Sequence, residues 1–127
     1  MAEQTGERFA AEDAGGVTVV TFLAERYLTE QDQEQLREYL SRLIDGGCRR
    51  LVLDLGGVED WNSPGFEAQF LSAYRRLLRV GGTVAICSVH PDKRQMFSIM
   101  GWDRFLSFHP DRQAAVAALQ RVAPQDT

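Results

Sequence analysis

The chain has 127 residues, 44% of them apolar and 25% charged, and its 18 acidic against 14 basic side chains leave a formal net charge of -4. That size and mixture suit one globular domain with a core of its own, and the acidic balance is the wrong sign for a nucleic-acid module, which carries a basic surplus. No apolar run approaches the ~20 residues of a membrane span, the first residues lack the pattern of a secretory signal, and Cys48 and Cys87 lie too far apart for a CxxC pair; a cytoplasmic protein with reduced thiols, no metal and no cofactor is expected.

In chain order, polar ends at 1–6 and 123–127 flank one domain over 7–122. Residues 7–12 read as a short strand, 13–16 (Asp-Ala-Gly-Gly) as a turn and 17–23 (VTVVTFL) as a β-branched strand, which together make an antiparallel hairpin. Thr29 is placed to cap a helix whose first turn holds Glu30 and Asp32 and whose apolar face holds Leu36, Leu40, Leu43 and Ile44. Gly46-Gly47 ends it, and 51–55 (LVLDL) is an unbroken apolar run of the kind a strand buried on both faces requires. A loop over 56–63 leads to a second helix with Phe66, Phe70, Ala73, Tyr74, Leu77 and Leu78 as its apolar stripe, stopped at Gly81-Gly82. A strand over 83–87 follows. Pro91 opens a shorter helix carrying Met96, Phe97 and Met100, and 104–108 is a last strand before a helix opened by Pro110 and Asp111. The order β-β-α-β-α-β-α-β-α predicts an α/β fold: a mostly parallel sheet of four to five strands with an N-terminal antiparallel hairpin and about four helices.

The stretch 58–65, Val-Glu-Asp-Trp-Asn-Ser-Pro-Gly, leaves a buried strand and opens a helix, where ligand and regulatory sites of such sheets gather. Pro64 fits the first helical position and Ser63 the N-cap. Trp61 and Phe66 have two open readings, exposed anchors for a partner or plain core.

Around that stretch the chain resembles a STAS domain of the bacterial anti-sigma-factor antagonist type, from about residue 17 to 119. The resemblance rests on LVLDLGGVEDWNSPGF at 51–66, Gly81-Gly82, TVAICSVHP at 83–91, DKRQMFSIM at 92–100 and Gly101-Trp102. It implies a non-catalytic regulator that works by binding other proteins. Its partners would be an anti-sigma factor with serine kinase activity and a phosphatase. The kinase phosphorylates the first serine of the motif, here Ser63; the unphosphorylated form binds the anti-sigma factor. Trp61, Asn62, Pro64, Gly65, Phe66 and Glu25 are the implied motif and partner-binding residues. Asn62 stands where the family has an aspartate, and Pro64 where it has a second serine or threonine. At 24–27 the family's Gly-Glu-Leu-Asp reads Ala-Glu-Arg-Tyr, which keeps Glu25. These departures leave an alternative open, a constitutive STAS scaffold in a signalling assembly without serine phosphorylation.

Other chemistries find less support. Asp54 ends a strand as a receiver's phospho-accepting aspartate does, but the acidic pair and lysine of a receiver are missing, so a bond to loop amides is expected. Ser63 lacks a Gly-x-Ser-x-Gly elbow, and His90 and His109 both precede prolines in loops. Arg75, Arg76 and Arg79 read as a solvated helix face.

Overall fold

The computed structural model describes residues 4–5, 8–23, 27–61 and 65–121. Strands β1 (Gln4–Thr5), β2 (Phe9–Ala14) and β3 (Val17–Phe22) are antiparallel neighbours. The β2–β3 turn places Gly15 and Gly16 at φ 63° and 89°, where a side chain would be strained. Beyond β3 the sheet is parallel: β5 (Arg50–Asp54), β7 (Thr83–Cys87) and β8 (Ser107–His109) complete the order β1-β2-β3-β5-β7-β8.

The central parallel strands β5 and β7 are buried on both sides, and their alternation sorts the residues. Leu51, Leu53, Val84 and Ile86 face the larger core, which α1 (Glu30–Asp45) and α2 (Phe66–Arg79) cover with Leu36, Tyr39, Leu40, Phe66, Phe70 and Leu77. Phe97 of α3 (Pro91–Ile99) completes that layer. Val52, Ala85 and Cys87 face the other side, where their small size admits Ala115 and Leu119 of α4 (Arg112–Gln120). Burial pushes the Cys87 thiol up to about 11 and raises Cys48 in the same direction, so neither is primed as a thiolate.

The α1 start is the predicted one. Asp32 N–H donates to Thr29 Oγ1 at 3.3 Å and Thr29 N–H to Asp32 Oδ2 at 2.8 Å, a reciprocal capping box. The α2 start is not. Its cap position is Gly65 and its first helical residue Phe66, so the helix begins later than a Ser63 cap requires. Asp111 opens α4 as its cap, through a 2.8 Å bond from Ala114 N–H. The last strand starts at Ser107, because 102–104 coil into a 3-10 turn. Three two-residue strands escaped the sequence altogether: β1, which lies in the stretch 1–6 read as a polar end and makes the main sheet six-stranded, and two more beyond β3. β4 (Tyr27–Leu28) and β6 (Asp60–Trp61) pair in parallel as a separate two-stranded sheet; two-residue strands carry no periodicity to read. At the end of α2, Gly82 is enforced by packing, since a Cβ there would lie 2.5 Å from the Arg49 carbonyl oxygen. No helix among the described residues is long and apolar enough to cross a membrane.

Candidate functional site

The motif segment leaves the sheet at the carboxyl end of β5. Leu55 N–H bonds the Cys87 carbonyl at 3.1 Å, which keeps β5 and β7 level as they end, and Val58 N–H closes a turn onto the Leu55 carbonyl at 2.9 Å. Asp54 holds the loop from below. Its Oδ1 accepts from Gly56 N–H at 3.0 Å, the loop-amide role expected from sequence. Its other oxygen meets a residue that sequence reasoning missed: Arg112 Nε donates to Asp54 Oδ2 at 3.1 Å. The same guanidinium reaches Glu12 Oε1 and Thr21 Oγ1, each at 2.5 Å, and so ties α4 to β2, β3 and β5 at one point. A lone arginine after a helix cap has no sequence signature that would foretell this. Beside it Ser88 takes a left-handed φ of 61°, an uncommon conformation for a residue with a side chain, where the chain turns off β7.

The next anchor is Trp61. It and Phe66 are both buried, so of the two readings open for them the structure selects the core. The Trp61 ring stacks on Phe66 at 5.7 Å and meets Phe70 and Phe97 edge-on or tilted, each near 6.1 Å. Its indole Nε1–H donates to the buried Glu67 Oε1 at 2.7 Å. On the outer side, Lys93 Nζ lies 4.7 Å from the Trp61 ring centroid and pairs with Asp60 Oδ1 at 2.6 Å. The bond from Lys93, with a second from Trp61 N–H, lowers the Asp60 pKa below the usual carboxylate range.

Asn62, Ser63 and Pro64 lie outside the described residues, as does Glu25. Their immediate neighbours are placed. Segment 62–64 runs between two buried aromatics, Trp61 before it and Phe66 one residue after Gly65. Gly65 packs beside the first turn of α1, where a Cβ would approach Gln33 Nε2 to 2.7 Å, and its carbonyl accepts from Gln69 at 3.4 Å. The β4–β6 pairing sets Leu28 against Trp61. The starts of α1 and α2 therefore come together at the carboxyl edge of the main sheet. His90, singled out as a loop residue, caps α3 by accepting from Asp92 N–H at 3.3 Å. Among the described residues no cluster of His, Cys, Asp and Glu could hold a metal ion.

Comparison with known proteins gives one answer. The STAS domain family model matches residues 8–115. BtrV of Bordetella bronchiseptica, whose name describes it as a candidate anti-sigma factor antagonist, is 38% identical over 95 residues, covering 72% of this chain and 78% of that protein. The structure of an anti-sigma-factor antagonist (STAS) domain protein from Planctomyces limnophilus superposes with a TM-score of 0.77 at 25% identity, over 88% of this chain and 97% of its own. SpoIIAA, an anti-sigma factor antagonist, matches in its unphosphorylated form with a TM-score of 0.71 at 16% identity, over 90% of this chain and 99% of its own. The phosphorylated form of Bacillus SpoIIAA matches with a TM-score of 0.67 at 17% identity, over 87% and 98%.

Proposed function

Because this chain belongs to the STAS domain family, we propose that it is a non-catalytic regulator of the anti-sigma-factor antagonist type, acting in the cytoplasm. Segment 62–64 docks on an anti-sigma factor with serine kinase activity. Phosphorylation of Ser63 by that partner breaks the complex, and a phosphatase restores it. The observation that carries this reading is the likeness to BtrV across most of both chains; the existence of SpoIIAA in phosphorylated and unphosphorylated forms supports the switch.

A phosphoserine carries about -1.5 to -2 charges near neutral pH. Ser63 precedes the Gly65 cap of α2 by two residues in sequence, so such a charge replaces no helix hydrogen bond and the fold survives, while the docking surface gains a hydrated dianion. Trp61 and Phe66, which bracket the segment in sequence, are buried and stacked on each other, so the residues on either side of it are held at a fixed separation. Rigid ends reduce the ordering cost of binding.

Calorimetry against the anti-sigma factor tests the reading. Ser63→Asp is expected to weaken binding about tenfold or more, roughly 1.4 kcal/mol; equal affinity of variant and wild type would refute it. Incubation with the kinase and ATP is expected to add one phosphoryl mass, lost in Ser63→Ala. Asn62 and Pro64, which replace acidic and hydroxyl residues of the motif, favour a second reading, a constitutive scaffold. Tight binding without any phosphoryl transfer would select it.

A further inference from the structure

Leu78 belongs by spacing to the buried stripe of α2, and Met100 to that of α3, yet they are 60% and 54% exposed. Ile99 is 78% exposed and Phe105 53%. Phe105 meets α2 one helical turn from Leu78, and Ile99 and Met100 precede Phe105 in the same α3–β8 segment. β7 and β8 are parallel, so the segment between them returns the chain to the edge of the sheet where strands begin. Its last part, Ile99 to Phe105, therefore lies away from the carboxyl edge that carries the motif. α2 also ends there, about 20 Å from its start at 1.5 Å per residue. The rings of Tyr74 and Phe105 touch, with centroids 6.4 Å apart, and Tyr74 and Leu78 share a helix face four residues apart. Phe105 and Leu106 N–H both bond the Trp102 carbonyl, and Arg104 N–H bonds that of Gly101, so the segment is a wound turn that presents Phe105 on a fixed support.

Charge surrounds the apolar residues. Arg75, Arg79 and Arg104 are exposed, and none pairs with an acid among the described residues. Their neighbours behave differently. Arg76 turns to α1 and binds Ser41 Oγ and Asp45 Oδ1 at 2.7 and 2.9 Å, while Arg94 faces Asp103 at 3.7 Å. The expected solvated stripe of three arginines thus splits: Arg76 is structural, and Arg75 and Arg79 remain beside Leu78. Large apolar side chains grouped on a surface mark a contact site more often than single ones do.

We propose that Leu78, Phe105, Met100 and Ile99, rimmed by Arg75, Arg79 and Arg104, form a second docking surface for an acidic amphipathic helix of a partner protein. Its apolar face covers the four side chains and its carboxylates meet the three guanidinium groups. A two-fold contact with a second copy would set arginine against arginine, which like-charge repulsion opposes. An anionic membrane would call for a cluster of about four to eight basic residues, and the chain's net charge of -4 works against it. With the length of α2 between Leu78 and the helix start at Gly65, this surface can be occupied while the other end of the helix is engaged. The proposal does not depend on the switch at Ser63.

An NMR titration of the isotope-labelled protein tests it. The probe is a synthetic helix with leucines on one face and glutamates on the other. Shifts are expected in the last two turns of α2 and over 99–105, with the signals of Trp61 and Phe66 unmoved. Leu78→Ser with Phe105→Ser, and separately Arg75→Glu with Arg79→Glu, are each expected to weaken binding about tenfold, with melting temperatures near that of the wild type because all four side chains are exposed. Equal binding of a lysine-faced helix, or no shift at the patch, overturns the proposal. So does a dimer in sedimentation that the Leu78→Ser, Phe105→Ser variant abolishes, or stronger patch shifts with phosphatidylserine vesicles than with the acidic helix.

Discussion

At its start, α2 sets Phe66 and Phe70 among Trp61 and Phe97, with the Trp61 indole bonded to Glu67 in the interior. At its end the same helix turns Leu77 inward and leaves Leu78 in water, one turn from the Tyr74–Phe105 contact and beside arginines that pair with no acid among the described residues. Both ends are rich in large apolar residues. They differ in what lies over them. β6 and α3 close over the start of α2, whereas the α3–β8 segment runs alongside its end and covers only one flank, through the Tyr74–Phe105 contact. An apolar residue is thus structural or interactive according to its neighbours, and one helix supplies both kinds.

The contrast predicts its own sharpest test. Phe70→Ala removes a fully buried ring and is expected to cost about 3–5 kcal/mol, against about 0.5 kcal/mol or less for Leu78→Ala. Comparable losses for the two in urea denaturation would erase the distinction between the ends. Trp61→Phe keeps the ring stack but removes the donor to the buried Glu67, which leaves a carboxylate oxygen without its partner; a loss of about 1–3 kcal/mol is expected. A second substitution of Glu67 to Leu in that background should recover part of it.

The smallest effect concerns the outer face of the motif end. The Asp60 pKa is lowered by Lys93, so this pair adds stability above the ordinary carboxylate range, and the contribution fades as pH falls through the folded value, below about pH 4. The carboxylate is about half exposed and screened, which limits the gain to a few tenths of a kcal/mol. Lys93→Met retains the stem over Trp61. Its deficit relative to wild type should be present at pH 7 and shrink as the pH falls below about 4; a deficit independent of pH would assign the role of Lys93 to packing alone.

Much of this could be read from residues. Thr29 with Asp32 three positions on is a capping box in the sequence and in the fold, and the apolar run at 51–55 is a central parallel strand. The candidate site was legible as a location, through its place after β5 and before α2. Its supports were not. Lys93, Arg112 and the β4–β6 pair reach it from distant parts of the chain, joined by contacts that leave no local pattern.

What the sequence by itself determined was the succession of elements, the hairpin and parallel sheet, and the family, because hydrophobic period, caps and glycine stops act over a few residues. Only the tertiary structure decided that Trp61 and Phe66 are interior, that Leu78 and Met100 are not, and that Arg76 is bound while Arg75 and Arg79 pair with no acid among the described residues. Burial depends on which elements cross above a residue, and that is settled by how the whole chain packs.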